Sequence, residues 1–197
     1  MRLDQAFSDS FTRFPDPPAI IEGNRACTYS QLHARVERLA GALASRGVSS
    51  GDHVVYVSAN SAVFAELTLA CSRIGAVCEI HNIRLSDQTL LELIARSGAS
   101  LAVLSADAWD RLGPHLPSSG SIETTGVCGH EEDLLDDAIP YEEFLEGAPA
   151  PPNQKPADDE DPVLMMFTSG TTGTPKGVLF SHRAIANRIA IDVESMG

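Results

Sequence analysis

Apolar residues return at two different periods along this chain, and the periods alternate. Leu3, Phe7, Phe11 and Phe14 recur at helical spacing, and Pro15 ends the helix they predict. Ala19-Ile20-Ile21 and Ala26-Cys27-Thr28 flank Gly23-Asn24, which predicts a hairpin turn. Thr28, with Gln31 three residues later, fits a capping box. The helix it opens carries Leu32, Val36, Leu39, Ala40 and Leu43 on one face and stops at Gly47. Val54–Val57 then reads as a buried strand and Ser61–Ile74 as a helix apolar nearly all round. Ala76–Ile80, Ser86–Ser97 and Leu101–Leu104 read as strand, helix and strand. Strand–helix–strand–helix–strand with short connections implies right-handed crossovers and a parallel βαβαβ layer with flanking helices, an α/β fold.

The pattern changes at Gly113. Between there and Pro162 prolines accumulate, and 12 of the 27 acidic residues lie in 131–161 with Lys155 as the single cation. Solvated charge and proline favour an acidic, mobile connector over a packed element. The His130-Glu131-Glu132-Asp133 cluster has no helical ligand spacing and predicts no metal site. Beyond it, Val163–Phe167 is a short apolar run, Gly177–Phe180 is a second strand, and Ser181 caps a helix through Ile185, Ile189 and Val193. The expected organisation is an α/β unit over 1–112, a connector over 113–162, and a β-hairpin with the start of a helix over 163–197.

Composition narrows the partners. A net charge of -13 repels nucleic acid and anionic membranes, so an anionic ligand must be captured by local dipoles, a placed cation or a metal. Cys27, Cys71, Cys78 and Cys128 form no C-x-x-C pair, and reduced core thiols are expected. The most apolar segment, Ala62–Ile74, is interrupted by Glu66 and Arg73, so no membrane span is expected, and the start of the chain lacks the pattern of a secretory signal. The expectation is a cytoplasmic protein.

The segment between the last two strands carries the chemistry. Thr168-Ser169-Gly170-Thr171-Thr172-Gly173-Thr174-Pro175-Lys176-Gly177 holds five hydroxyl side chains, three glycines and one lysine. Glycines let backbone N–H groups close around an anion. Ser169, Thr171 and Thr172 add O–H donors, and Lys176 adds a compact positive charge. Such residues are also ordinary in surface loops, but strands of buried type on both sides make this the tip of a hairpin. A Walker loop requires glycine where Pro175 stands and Ser or Thr where Gly177 stands. The dinucleotide pattern G-x-G-x-x-G is absent as well.

The run Met166–Val178, closing with Ser181-His182, resembles the signature loop of the superfamily of acyl-CoA synthetases, peptide-synthetase adenylation domains and firefly luciferase. Upstream, Thr28-Tyr29-Ser30-Gln31-Leu32, Gly51-Asp52-His53-Val54 and Asn82-Ile83-Arg84-Leu85 resemble that family's TY-x-EL, GD-x-V and N-x-RL segments. The resemblance implies the N-terminal part of the adenylate-forming fold. It implies an AMP-forming acid–thiol ligase in which a carboxylate attacks ATP to give an acyl-adenylate and coenzyme A then displaces AMP. The implied ATP-phosphate contacts are Thr168, Ser169, Gly170, Thr171, Thr172, Gly173 and Lys176, and His182 receives no role. The Mg²⁺ ligand, the acyl pocket and the adenylation lysine follow this loop in family members, which are more than twice as long. No catalytic or metal-binding residue is therefore expected within these 197 residues. The resulting expectation is an inactive N-terminal fragment whose uncovered core self-associates. Thr171-Thr172 favours the fatty- or aryl-acid ligase branch over the peptide-synthetase branch, while Glu79-Ile80-His81-Asn82 departs from the proline pattern of both. A naturally short, non-catalytic interaction module and a phosphotransferase stand as alternatives; a continuing reading frame argues against the first, and AMP rather than ADP as product against the second.

Overall fold

The computed structural model describes residues 2–116, 122–128, 138–152, 158–168 and 175–196. The chain opens with helix α1 (Leu3–Arg13), the hairpin β1 (Pro18–Glu22) and β2 (Arg25–Thr28), and helix α2 (Tyr29–Ser45). The predicted capping box is present: the Thr28 side chain accepts from the Gln31 N–H at 3.2 Å, and the Gln31 side chain accepts from the Thr28 N–H at 2.9 Å. The alternation follows as β3 (His53–Ser58), α3 (Ala62–Ile74), β4 (Val77–Asn82), α4 (Asp87–Ser97) and β5 (Leu101–Ser105). Gly75, at φ +73°, ends α3 in the left-handed conformation, and an added Cβ would come within 2.8 Å of the Ser50 hydroxyl.

Helix α5 (Ala106–Leu112), absent from the sequence reading, is capped by Ser105, whose hydroxyl accepts from the Ala108 N–H, and buries Ala108, Trp109 and Leu112. The segment expected as a connector contributes β6 (Thr124–Cys128), β7 (Ala138–Pro140) and the short helix α6 (Tyr141–Leu145). Thr-Thr-Gly-Val-Cys is a weak strand signal on its own, but β6 gains its ladder by adding in parallel to the formed edge of β5. The acidic residues of α6 belong to an amphipathic turn that buries Tyr141, Phe144 and Leu145. The His130–Asp133 cluster lies outside the described residues.

Strands β8 (Pro162–Thr168) and β9 (Lys176–Ser181) lead into α7 (His182–Met196). The main sheet has seven strands in the order β7-β6-β5-β3-β4-β8-β9. All neighbours run parallel except β8 and β9, which are antiparallel. All three sequence segments thus place strands in one sheet. One face packs Val54, Tyr56, Cys78 and Val103 with α2 and α3; the other packs Val55, Val57, Ala102 and Leu104 with α4 and α5. This two-sided burial explains the near-continuous apolar strands. At Gly41 on α2, a Cβ would meet the Pro149 carbonyl oxygen at 1.8 Å, so glycine lets the 148–152 segment cross the helix backbone.

Candidate functional site

The expected site begins where β8 leaves the carboxyl edge of the parallel sheet. Backbone pairing aligns Cys78 with Leu164 and Ile80 with Met166, which carries β8 outward beside β4. Strand β9 returns against it with Phe167 opposite Gly177 and Thr168 opposite Lys176. The Thr168 hydroxyl donates to the Lys176 carbonyl at 3.4 Å, and both residues are exposed. The hairpin therefore brings the first hydroxyl and the lysine of the predicted loop together at its mouth. Ser169, Gly170, Thr171, Thr172 and Gly173 lie outside the described residues.

Beside this mouth is a cavity of about 510 Å³, lined by residues that include His53, Glu79, Arg96, Met165, Phe167 and Lys176. Two fixed cations, Arg96 and Lys176, thus face one space in a chain of net charge -13. The sequence reading passed over the buried groups behind it. Glu79 and His81 point to one face of β4, and both are essentially inaccessible. His53 Nδ1 lies 2.7 Å from Glu79 Oε2, and His81 Nε2 lies 3.0 Å from Glu79 Oε1. Burial pushes the Glu79 carboxyl up, yet the two histidines outweigh it and hold the group below the usual carboxylate range. The signal in the sequence was two polar residues spaced by two within a strand otherwise fit for burial.

His182 also departs from the expectation that gave it no role. Ser181 supplies the helix cap, accepting from the Ala184 N–H at 3.3 Å, while the His182 ring is fully buried. Its Nδ1 accepts the Leu3 N–H at 3.3 Å and lies 3.5 Å from Ser72 Oγ. These contacts tie α7, directly after the hairpin, to the starts of α1 and the end of α3. Burial lowers the His182 pKa despite the field of Asp4.

A larger cavity, about 900 Å³, lies at the carboxyl ends of β3, β5 and β6, where the chain leaves β3 toward β4 on one side and β5 toward β6 on the other. Such switch points commonly hold ligands in open α/β sheets. Here Arg35 donates Nε to Glu66 at 2.6 Å and its two terminal nitrogens to Glu142 at 2.9 and 2.7 Å. Tyr141 donates to the other Glu66 oxygen at 2.8 Å, and the Ala62 N–H at the start of α3 donates to Glu22 at 3.2 Å. Three glutamates offset the three arginines of this cavity, so it offers an anion no surplus charge, and the hairpin mouth remains the stronger candidate. The segment Asn82–Leu85 is held by Arg111, which donates to the Ile83 and Leu85 carbonyls at 2.9 and 3.0 Å.

Among the described residues, no group of three or more His, Cys, Asp or Glu side chains is placed to hold a metal, and no helix is long and apolar enough to cross a membrane. Cys27, Cys71 and Cys78 are free thiols, the latter two buried.

The feruloyl-CoA synthase of an Amycolatopsis species is 34% identical over 168 residues, covering 85% of this chain and 31% of that protein. The inhibitor-bound N-terminal domain of FACL13 from Mycobacterium tuberculosis superposes with a TM-score of 0.77 at 26% identity, covering 92% of this chain and 44% of that one. The anthranilate CoA ligase AuaEII, solved with anthranoyl-AMP, superposes with a TM-score of 0.86 at 18% identity, over 93% of this chain and 35% of that one, a likeness of fold. The chain spans about a third of the length of the curated relatives it matches, 31% and 34% for two of them. Residues 7–196, including both strands of the hairpin, match the family described as AMP-binding enzyme, and the chain belongs to that family.

Proposed function

We propose that this chain supplies the ATP-phosphate grip of an AMP-forming carboxylate–CoA ligase acting on a fatty or aryl acid. The observation that carries this reading is the hairpin mouth, which sets Thr168 opposite Lys176 at the carboxyl edge of the sheet, within the segment that matches the family. In the first half-reaction a carboxylate oxygen bonds to the α-phosphorus of ATP while the bond to pyrophosphate breaks, giving the acyl-adenylate. In the second, the coenzyme A sulfur bonds to the acyl carbon and AMP leaves.

The contribution of this chain falls in the first step, where negative charge accumulates on departing pyrophosphate. Lys176, the Thr168 hydroxyl and the donors of Ser169, Gly170, Thr171, Thr172 and Gly173 hold the β- and γ-phosphates and stabilise that charge. The field of Arg96 in the adjoining cavity adds to it. Among the described residues no cluster of three or more His, Cys, Asp or Glu side chains forms a site for Mg²⁺. Because this chain spans about a third of its relatives' length, residues 1–197 alone are expected to bind ATP without forming acyl-CoA.

The test is ATP titration by calorimetry on residues 1–197, together with ATP–pyrophosphate exchange across a carboxylate panel on a polypeptide of the relatives' full length. ATP binding that is lost in Lys176→Ala, with carboxylate-dependent exchange of pyrophosphate into ATP and AMP released once coenzyme A is added, supports the reading. ADP as the product, or ATP affinity indifferent to Lys176, overturns it.

A further inference from the structure

The His53–Glu79–His81 chain, with Glu79 and His81 buried and His53 half-buried, is used by no step above, and its position is unusual. It sits inside a parallel sheet, where apolar side chains of similar volume would be as stable or more so. A reason for retaining it lies in what the chain touches at its far end. The His81 ring stacks on the ring of Phe167, with centroids 4.6 Å apart and planes inclined by 20°. Phe167 immediately precedes Thr168, the first residue of the phosphate loop.

The backbone around this contact gives it mechanical weight. Paired positions between β4 and β8 end at Ile80 and Met166, one residue short of His81 and Phe167. From Phe167 onward, β8 is aligned only by its antiparallel partner, through Phe167 opposite Gly177 and Thr168 opposite Lys176. The ring stack thus continues the alignment of β8 on β4 past the point where the ladder stops. The His81 ring is itself held from below. Glu79 spans the two imidazoles, with His53 at 2.7 Å on one oxygen and His81 at 3.0 Å on the other. Neither His81 nitrogen makes an in-line hydrogen bond among the described residues, so its contact with Glu79 is electrostatic and leaves the ring plane to be set by Phe167.

We propose that His81 is a positioning residue for the phosphate loop: its ring, steadied by Glu79 and His53, clamps Phe167 and so fixes the strand end from which Thr168 faces Lys176. The clamp acts through Phe167 and touches no substrate, and it rests on the phosphate-binding reading of the loop. The same cavity wall carries Arg96 and Lys176, so a shift of Phe167 changes the spacing of the cations that meet the phosphates. His81 occupies a position where the sequence reading found a departure from related patterns, and the clamp gives that departure a use.

Four variants of residues 1–197 test this: His81→Ala, His81→Leu, His81→Phe and Lys176→Ala. ATP affinity is measured by calorimetry, and hydrogen exchange over 163–168 and 175–181 is measured without nucleotide, with exchange over 54–57 as the control for global stability. In His81→Ala, ATP affinity falls about fivefold, the scale of one aromatic pair. Exchange at the strand ends accelerates while the control segment is unchanged. His81→Leu replaces His81→Ala if the latter does not fold, and behaves in the same way. His81→Phe keeps a ring against Phe167 and restores both readouts to within about twofold. Unchanged affinity and exchange in His81→Ala and His81→Leu overturn the proposal, as does a His81→Phe variant no better than His81→Leu. If Lys176→Ala binds ATP as tightly as the unaltered chain, the phosphate reading fails, and the exchange measurements decide the clamp alone: acceleration rescued by His81→Phe upholds it, and no acceleration removes it.

Discussion

Two apolar runs, Val54–Val57 and Val163–Phe167, are nearly interchangeable as sequence, and the fold puts them to different use. Every residue of the first is at most 2% exposed. The second begins equally buried at Val163, then opens to 44% exposure at Met166. The cause is position in the sheet. Strand β3 has neighbours on both sides and helices over both faces, whereas β8 is followed only by β9, whose Val178 and Leu179 are 39% and 54% exposed. Hydrophobicity of a run predicts that a strand forms; the layers around it decide how much of that strand leaves water. The comparison also separates stability from chemistry, since the buried half anchors a hairpin whose exposed half is available to ligand.

The largest effect belongs to the buried region. Leu43→Ala or Ile94→Ala removes a fully buried side chain and is expected to cost about 2–5 kcal/mol in urea unfolding. Met166→Ala at the hairpin is expected to cost under about 1 kcal/mol, and equal losses at the two places break the comparison. Lys176→Ala reverses the ranking: in pyrophosphate exchange with a polypeptide of the relatives' full length it is expected to remove about 3 kcal/mol of transition-state stabilisation, the scale of one oxyanion donor, with the melting temperature unchanged. A loss of stability matching the loss of rate means that the lysine is structural.

Acid sharpens the contrast from another side. The folded pKa of His182 is depressed by burial, so the unfolded chain binds its proton more readily. Its contribution is complete above the ordinary histidine value of 6.5 and declines as pH falls from there toward the lower folded value. Glu79, also depressed, contributes above the ordinary carboxyl value of 4.5 and is lost as pH falls through its folded value. Unfolding free energy measured downward from pH 7 should therefore fall in two stages. His182→Gln should remove the upper stage, and Glu79→Gln the lower; a profile unchanged by both contradicts the assignment.

The smallest effect on stability is expected at the outer strand. Leu179→Lys should alter unfolding by less than about 0.5 kcal/mol. It should nevertheless reduce self-association, which we expect through the β9 edge and the exposed Met166, Val178 and Leu179. Light scattering that finds the unaltered chain monomeric at high concentration removes this expectation.

Much of the fold was legible because local signals and burial agreed. The capping box at Thr28, the helix from Tyr29, and the alternation through β5 all carry strong periodicity and well-placed caps. The weaker elements were read poorly for a common reason. Strand β6 is rich in Thr and Gly and β7 is only three residues long, ending in Pro, and their hydrogen bonds come from an edge that exists only after β5 has been placed. Helix α6 looked like solvated charge because Glu142 was counted without its partner, Arg35, distant in sequence and bonded to it in space. Of the candidate site, Thr168 and Lys176 were legible as chemistry and their pairing as a hairpin; the buried histidines were not.

The amino-acid sequence by itself determined the α/β alternation, the hairpin and the donor set of the loop proposed to hold phosphate, because each depends on residues close together in the chain. Only the tertiary structure decided that Glu79 lies between His53 and His81, that His81 stacks on Phe167, and that His182 receives the Leu3 N–H. Those contacts join segments brought together by strand order and helix packing, and the energy of a buried polar group depends on which partner the fold sets beside it.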